Sequence, residues 1–306
     1  MSSSKNKGRH NLILVISLLS ITIVAGYFID SWYNQKNTIM LKNTTTITDK
    51  VKEVAVLENE SQIKQETLPK TEDIKPINVK HNDKGIPILM YHSIGFEQGN
   101  LAKVTKDNFK EQMKYLKDNG YVTLTLNDAY DFFISNKPVP EKSIVLTFDD
   151  GYEDNYVEVL PIIKEFKFKA TIFVITDLVD KNPDYMTSVQ LKEMQDNGFD
   201  IESHTTNHEN LKESSYEKQV KSLQDSKASL EKTLGKKIEY LAYPYGEYSN
   251  ETLNAVTQVG YKMAVGTAGR WSDKGDGILT LDRVFISGAA SLDIFIERIT
   301  NPNYKF

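Results

Sequence analysis

Two adjacent carboxylates, Asp149 and Asp150, end the most strand-like run of the chain, "SIVLTFDDGYEDNY" (143–156). A carboxylate buried without a partner costs several kcal/mol, so the pair calls for compensation. An Asp at a strand-to-helix turn often caps the next helix, which explains one of the two and leaves the second without a task. Glu153 and Asp154 suit the first turn of that helix, where the dipole favours acids. A second constellation is "SHTTNH", in which His204 and His208 stand at i and i+4. On a helical turn both imidazoles would share a face and could grip one ion. The same spacing arises by chance as two solvated histidines; a carboxylate on the same edge of the fold favours the metal. Two His and one Asp leave positions open for water and substrate, with zinc as the default ion and cobalt, nickel or iron as alternatives. One Asp then completes the metal site, and the other, ionised beside the cation, can take a proton from water.

"YPYG" (243–246) reads by itself as an ordinary Pro-Gly turn. Its functional reading is a rigid loop that offers a backbone N–H to a developing oxyanion, with the rings of Tyr243, Pro244 and Tyr245 available to a sugar. His92 alone would be an ordinary rim or core histidine. As the remaining histidine expected on the same edge, it is the candidate general acid.

These residues are far apart in the chain and need a scaffold that gathers them. From about Gly85 onward, short apolar runs alternate with helix-period segments. Strand candidates are 87–91, 121–126, 143–148, 170–176, 199–203, 238–242, 261–265 and 283–287. Between them lie a helix with Phe109, Met113 and Leu116 on one face and a short one through Tyr130 and Phe133. Asn119-Gly120, Asn197-Gly198 and Gly260 mark helix ends. Repeated β-α units imply an α/β fold with a parallel sheet, and their number suits a small, distorted, incomplete (β/α) barrel. In a barrel the C-terminal strand ends share one rim, where active sites sit. His92, Asp149 with Asp150, His204 and "YPYG" each follow a strand candidate, and three of the five histidines land on that rim.

The bulk of the sequence narrows the alternatives. Of 306 residues, 40% are hydrophobic and 26% charged, as in ordinary globular proteins. A net charge of -5 with dispersed Lys and Arg carries no nucleic-acid footprint. Cysteine is absent, which excludes disulfides, thiol catalysis, Cys-ligated metal and a lipidated cysteine. Residues 11–29, "NLILVISLLSITIVAGYFI", are free of charge and long enough to span a bilayer as a helix. A cleaved signal peptide, and hence a secreted protein, is the competing reading; the length of the run and the lack of an A-x-A site favour an uncleaved anchor. Lys5, Lys7 and Arg9 predict that residues 1–10 stay in the cytoplasm and the remainder lies outside the cell membrane. Residues 30–84 are rich in Thr, Asn, Lys and Glu and read as an extracellular linker or stalk, with "DKVKEVAVLENE" as a short helix candidate. The catalytic domain is then 85–306. Oligomeric state has no signal in the sequence.

"TFDDG" (147–151), "HTTNH" (204–208) and "YPYG" (243–246) resemble, in order and spacing, motifs of the polysaccharide deacetylases of carbohydrate esterase family 4, also called the nodulation-type deacetylase family. The resemblance covers about residues 86–290, and the first two motifs are the specific ones. It implies a distorted (β/α) barrel, Asp149 as catalytic base, and Asp150, His204 and His208 as metal ligands. It also implies that Tyr245 gives its backbone N–H to the oxyanion. The family's third motif usually opens with an Arg that steadies the base; Ala242 stands there, and Arg283 in "LDRVFIS" is the candidate substitute. No histidine follows His208, where the usual acid would lie. The branch that deacetylates exported poly-N-acetylglucosamine carries that histidine in an N-terminal "YH" segment, which "ILMYHSIG" resembles, so His92 takes the place of the acid. The fourth motif has no clear counterpart, and Trp271 is a poor candidate for it. The resemblance implies N-deacetylation of N-acetylglucosamine in an extracellular polymer, poly-N-acetylglucosamine first. Peptidoglycan, chitin oligomers or acetyl-xylan are rival substrates, and a catalytically weak glycan-binding protein on the same scaffold is the non-enzymatic rival.

Overall fold

All eight apolar runs become strands of a single sheet, most of them trimmed at their ends. The computed structural model describes residues 78–305. Its main strands are β1 (Ile88–Tyr91), β2 (Val122–Leu124), β3 (Ser143–Phe148), β4 (Thr171–Val174), β5 (Asp200–Ser203), β6 (Tyr240–Ala242), β7 (Met263–Val265) and β8 (Val284–Phe285). The order across the sheet is β7-β6-β5-β4-β3-β1-β8, and every pairing is parallel. The long central strand β3 has three neighbours: residues 143–145 pair with β2, 147–148 with β4, and 145–148 with β1 along the other edge. The sheet curls until segment 281–285 spans the gap between its ends. Leu281 makes one parallel bridge to Val265, while Val284 and Phe285 pair with Leu89 and Met90. A single bridge in place of a ladder leaves the barrel incomplete.

Among the described residues, seven α-helices accompany the strands: α1 (Lys106–Asp118), α2 (Leu126–Ser135), α3 (Leu160–Phe166), α4 (Ser188–Asp196), α5 (Tyr216–Leu234), α6 (Asn250–Val259) and α7 (Leu292–Thr300). Thr125, Thr187 and Ser249 open α2, α4 and α6 with reciprocal capping boxes, which satisfy backbone donors the helix leaves orphaned. In α1, Phe109, Met113 and Leu116 form the buried stripe that their spacing predicts.

Strand periodicity sorts the core into two layers. On β3, Ile144, Leu146 and Phe148 face the helices, whereas Val145 joins Ile88, Phe173, Ala242 and Val265 inside the barrel. Each buried Val, Leu, Ile or Phe among them contributes about 1.5–3 kcal/mol. Helix α2 covers the N-terminal mouth: the Tyr240 hydroxyl donates to Asn127, and Lys262 lies over the Tyr130 ring. Inside β5, the carboxylate of Glu202 accepts the N–H groups of Glu239 (2.9 Å) and Tyr240 (2.8 Å) and pairs with Lys236. It stands in for main-chain partners where β5 and β6 share a single register pair, Leu241 with Ser203. Burial pushes its carboxyl up to about 7.

The folded unit begins earlier than Gly85. Val79 and Lys80 pair antiparallel with Pro140 and Val139, so residues 78–84 of the expected linker belong to the domain. The proposed cytoplasmic segment (1–10), membrane span (11–29) and linker up to residue 77 lie outside the described residues. Among the described residues, no helix is long and apolar enough to cross a membrane.

Candidate active site

The inward-facing register of three strands carries the functional side chains to one rim. Ile86, just ahead of β1, and Ile88 and Met90 on it lead by twos to His92; on β3, Val145 and Thr147 lead to Asp149; on β5, Glu202 leads to His204. Asp150 would face outward if the strand continued. Instead its φ of 74°, followed by Gly151 at 81°, turns the chain so that both carboxylates serve the rim. The left-handed region costs a non-glycine residue about 1–2 kcal/mol, a cost that short polar side chains such as Asp bear best.

Asp149, 2% exposed, is held by Arg283, which is fully buried. Arg283 Nη1 and Nη2 donate to the two carboxylate oxygens at 2.6 Å each. The guanidinium also donates to Thr147 Oγ1 (3.1 Å) and to the Gly266 carbonyl (2.9 Å), and lies over the Phe173 ring. Arg283 immediately precedes β8, so its side chain rises through the barrel interior to reach the rim. Burial by itself would raise the Asp149 carboxyl, but the Arg283 and His204 charges hold it well below the usual carboxylate range. His92 Nε2 lies 4.0 Å from Asp149 Oδ2. Burial lowers the His92 imidazole below its ordinary value, opposed by the charge of Asp149.

Asp150, His204 and His208 bring one ligand atom each within 4.8 Å of one another. Asp150 Oδ1 lies 3.4 Å from His204 Nε2 and 3.5 Å from His208 Nε2. His204 Nδ1 is 2.8 Å from the Ala242 carbonyl, so the ring donates there and turns the lone pair of Nε2 toward Asp150. Asp150 Oδ1 is buried and accepts no hydrogen bond from the described residues. An orphaned carboxylate oxygen facing two imidazole nitrogens is a donor set that fits a divalent cation.

The helical turn expected at 204–208 does not form. Thr205 and His208 adopt φ of 67° and 61°, and this left-handed turn, not a helix face, folds His208 back beside His204 with the rings 4.9 Å apart. "YPYG" divides. Tyr245, at φ 60°, exposes 63% of its surface, and its ring meets His208 edge-on at 4.6 Å. Tyr243 is fully buried and donates to the Leu279 carbonyl (3.0 Å). It is one position beyond the inward-facing Ala242, so the pleat sends it into the helix-side core, and Pro244 is buried too. Neither presents a ring to a sugar, which corrects that expectation. Gly246 closes the turn at φ 70°, where a Cβ would sit 2.0 Å from Thr267 Oγ1. Trp271 is remote from the rim: its neighbour Ser272 pairs with Ile86, ahead of β1.

Several residues at the rim escape sequence reading. Tyr152 and Tyr185 stack at 5.0 Å beside Asp150. The Phe285 ring packs edge-on against His92. Asp154 is no simple helix-start acid, since it accepts the Ile94 N–H (3.0 Å) and the Ser93 hydroxyl. A cavity of about 410 Å³ opens next to His92, with Lys103, Tyr152 and Asp184 in its wall.

Comparison with known proteins agrees with this geometry. The family model for Polysaccharide deacetylase matches residues 136–264. YxkH of Bacillus subtilis, itself classed by name as a polysaccharide deacetylase, is 36% identical over 247 residues, which cover 76% of this chain and 88% of that protein. The poly-beta-1,6-N-acetyl-D-glucosamine N-deacetylase of Staphylococcus aureus is 28% identical over 221 residues, covering 62% of this chain and 75% of the relative. Among solved structures, the Streptococcus pyogenes deacetylase PplD, in complex with acetate, matches with a TM-score of 0.68 and 34% identity over 70% of this chain and 98% of that one. The chain is therefore a member of the polysaccharide deacetylase family, a hydrolase of N-acetyl amide bonds.

Proposed function

We propose that the protein removes acetyl groups from N-acetylglucosamine residues of an extracellular polysaccharide, with poly-N-acetylglucosamine as the first candidate. The observation that carries this reading is the convergence on one rim of an ionised, Arg-clamped carboxylate, a histidine 4.0 Å from it and an Asp-His-His donor set. The similarity to the Staphylococcus aureus N-deacetylase supports the choice of glycan.

In this mechanism Asp149 accepts a proton from the water that attacks the acetamide carbonyl. The Arg283 clamp keeps Asp149 ionised and fixed in orientation throughout. The N–H of Tyr245, which makes no hydrogen bond within the described residues, donates to the oxygen as negative charge builds on it. His92 protonates the nitrogen as the C–N bond breaks, so that acetate and a glucosamine unit leave. Asp150, His204 and His208 would hold a divalent cation, zinc in the first instance, which when bound would supply Lewis acidity at this site. The exposed Tyr245 ring and the Tyr152–Tyr185 stack offer the sugar apolar faces. The charge-free run at 11–29 supports attachment to the cell membrane with the catalytic unit outside.

Acetate release from poly-N-acetylglucosamine and from peptidoglycan, side by side and with or without a chelator, tests the reading. Chelator-sensitive release from the former is expected. Metal-loaded protein that releases acetate from neither would make it a glycan-binding protein. Asp149→Asn is expected to abolish turnover with metal retained, and His204→Ala to lose both. Protease accessibility of the catalytic unit on intact cells tests the location.

A further inference from the structure

A histidine that transfers a proton ordinarily has its ring set by a bond at its other nitrogen. His92 lacks one: its Nδ1 is buried without a hydrogen-bond partner among the described residues. The ring must instead be aimed through its main chain and the packing of Phe285. The main chain is held by two side chains that follow the Asp149-Asp150 turn. Asn155 Nδ2 donates to the His92 carbonyl (2.9 Å) and to Asp154 Oδ1 (2.9 Å). Asp154 in turn accepts the Ile94 N–H and the Ser93 hydroxyl, the two residues after His92.

We propose that Asp154 and Asn155 are positioning residues that tie the strand end bearing His92 to the turn bearing Asp149, and so fix the distance between acid and base. Asn155 is fully buried, and its Oδ1 has no partner among the described residues. An unsatisfied buried amide oxygen costs about 1–3 kcal/mol, so stability alone gives little reason for this residue. Asn155 also opens a π-helical turn, Asn155–Val159, that runs directly into α3. Such wide turns recur at functional sites. Beyond Tyr91, whose carbonyl accepts the Asp149 N–H, β1 has left the β3 ladder, and the Asp154–Asn155 clamp takes over where main-chain pairing stops.

This inference rests on His92 acting as the general acid, and its test separates the two claims. An acetamide expels an amine that needs a proton, whereas an aryl acetate expels a phenolate that does not. Metal-loaded wild type, Asn155→Ala, Ser93→Ala and His92→Ala are compared on an N-acetylglucosamine oligomer and on 4-nitrophenyl acetate, with metal content measured for each. For Asn155→Ala, kcat on the oligomer is expected to fall about 10- to 100-fold with KM little changed, because small misplacements of a reacting group carry penalties of that order. Aryl acetate hydrolysis should stay within about threefold of wild type, since its rate does not depend on the acid. Ser93→Ala, which removes only the hydroxyl partner of Asp154, should shift the same ratio less and keeps the test open if Asn155→Ala does not fold. A parallel loss on both substrates, or no loss on either, overturns the positioning role. If His92→Ala itself shows no selective loss on the oligomer, the acid assignment falls, and the inference falls with it for that separate reason.

Discussion

Replacing Arg283 with methionine preserves much of the side-chain volume and removes the charge that faces Asp149. The wild-type pair is almost wholly buried, and both carboxylate oxygens receive charge-assisted bonds at 2.6 Å. Removing one partner of such a pair costs about 3–5 kcal/mol, because the other charge stays buried and uncompensated. The pH dependence gives the mechanism a sign. With Arg283 present, the folded Asp149 carboxyl titrates below its unfolded value. Its stabilisation is therefore complete above the unfolded pKa and fades as pH falls toward the folded one. In Arg283→Met burial becomes the dominant influence and lifts the folded pKa above the unfolded one. The deficit relative to wild type should then be largest near neutral pH and shrink as pH falls through the raised value. Urea unfolding of wild type, Arg283→Met, Asp149→Asn and the double variant, at about pH 7 and about pH 4.5, measures this directly. We expect a coupling of about 2–3 kcal/mol at the higher pH. A deficit that is the same at both pH values, or a coupling below about 0.5 kcal/mol, would refute the claim that Arg283 acts through the charge of Asp149.

Four further outcomes follow from other residues. Lys80 is 4% exposed, and burial, opposed by Glu141, lowers its amine to about 8. The unfolded chain then binds more protons between that value and 10.5, so wild-type stability rises with pH across this window; Lys80→Met should abolish the slope and gain on the order of 2 kcal/mol at neutral pH. Tyr243→Phe removes only the bond to the Leu279 carbonyl, so it should cost about 1 kcal/mol in unfolding with turnover kept, whereas Tyr245→Ala should raise KM for oligomers. Gly246→Ala meets both a left-handed backbone and Thr267, so its melting temperature should drop by several degrees, and adding Thr267→Gly should recover only the part due to the clash.

Much of the rim was legible because strand periodicity is local. The alternation that places Val145, Thr147 and Asp149 on one face can be read from β3 alone, and the apolar runs located all eight strands. Reading stopped short where a backbone angle breaks the pattern. His204 and His208 looked like a helical pair, yet the positive φ of Thr205 and His208 joins them through a turn. Tyr243 looked like a rim aromatic, yet one step of the pleat separates it from the inward-facing Ala242. Asp154 looked like a helix-start acid, because nothing near it in sequence reveals Ser93 and Ile94 as partners.

The amino-acid sequence by itself determined the β-α alternation, the absence of thiol chemistry and the residue types available to hold a cation. It also marked Asp149, Asp150, His92 and His204 as strand-end residues, with His208 four positions beyond His204, since apolar runs and motif spacing are properties of short segments. Only the tertiary structure decided that Arg283, 134 positions from Asp149, reaches it through the barrel interior. It alone likewise turned Asp150 to the rim and clamped His92 through Asn155. Those outcomes depend on strand order, curl and left-handed turns. Such features are settled by the packing of distant segments, and no local pattern of residues encodes them.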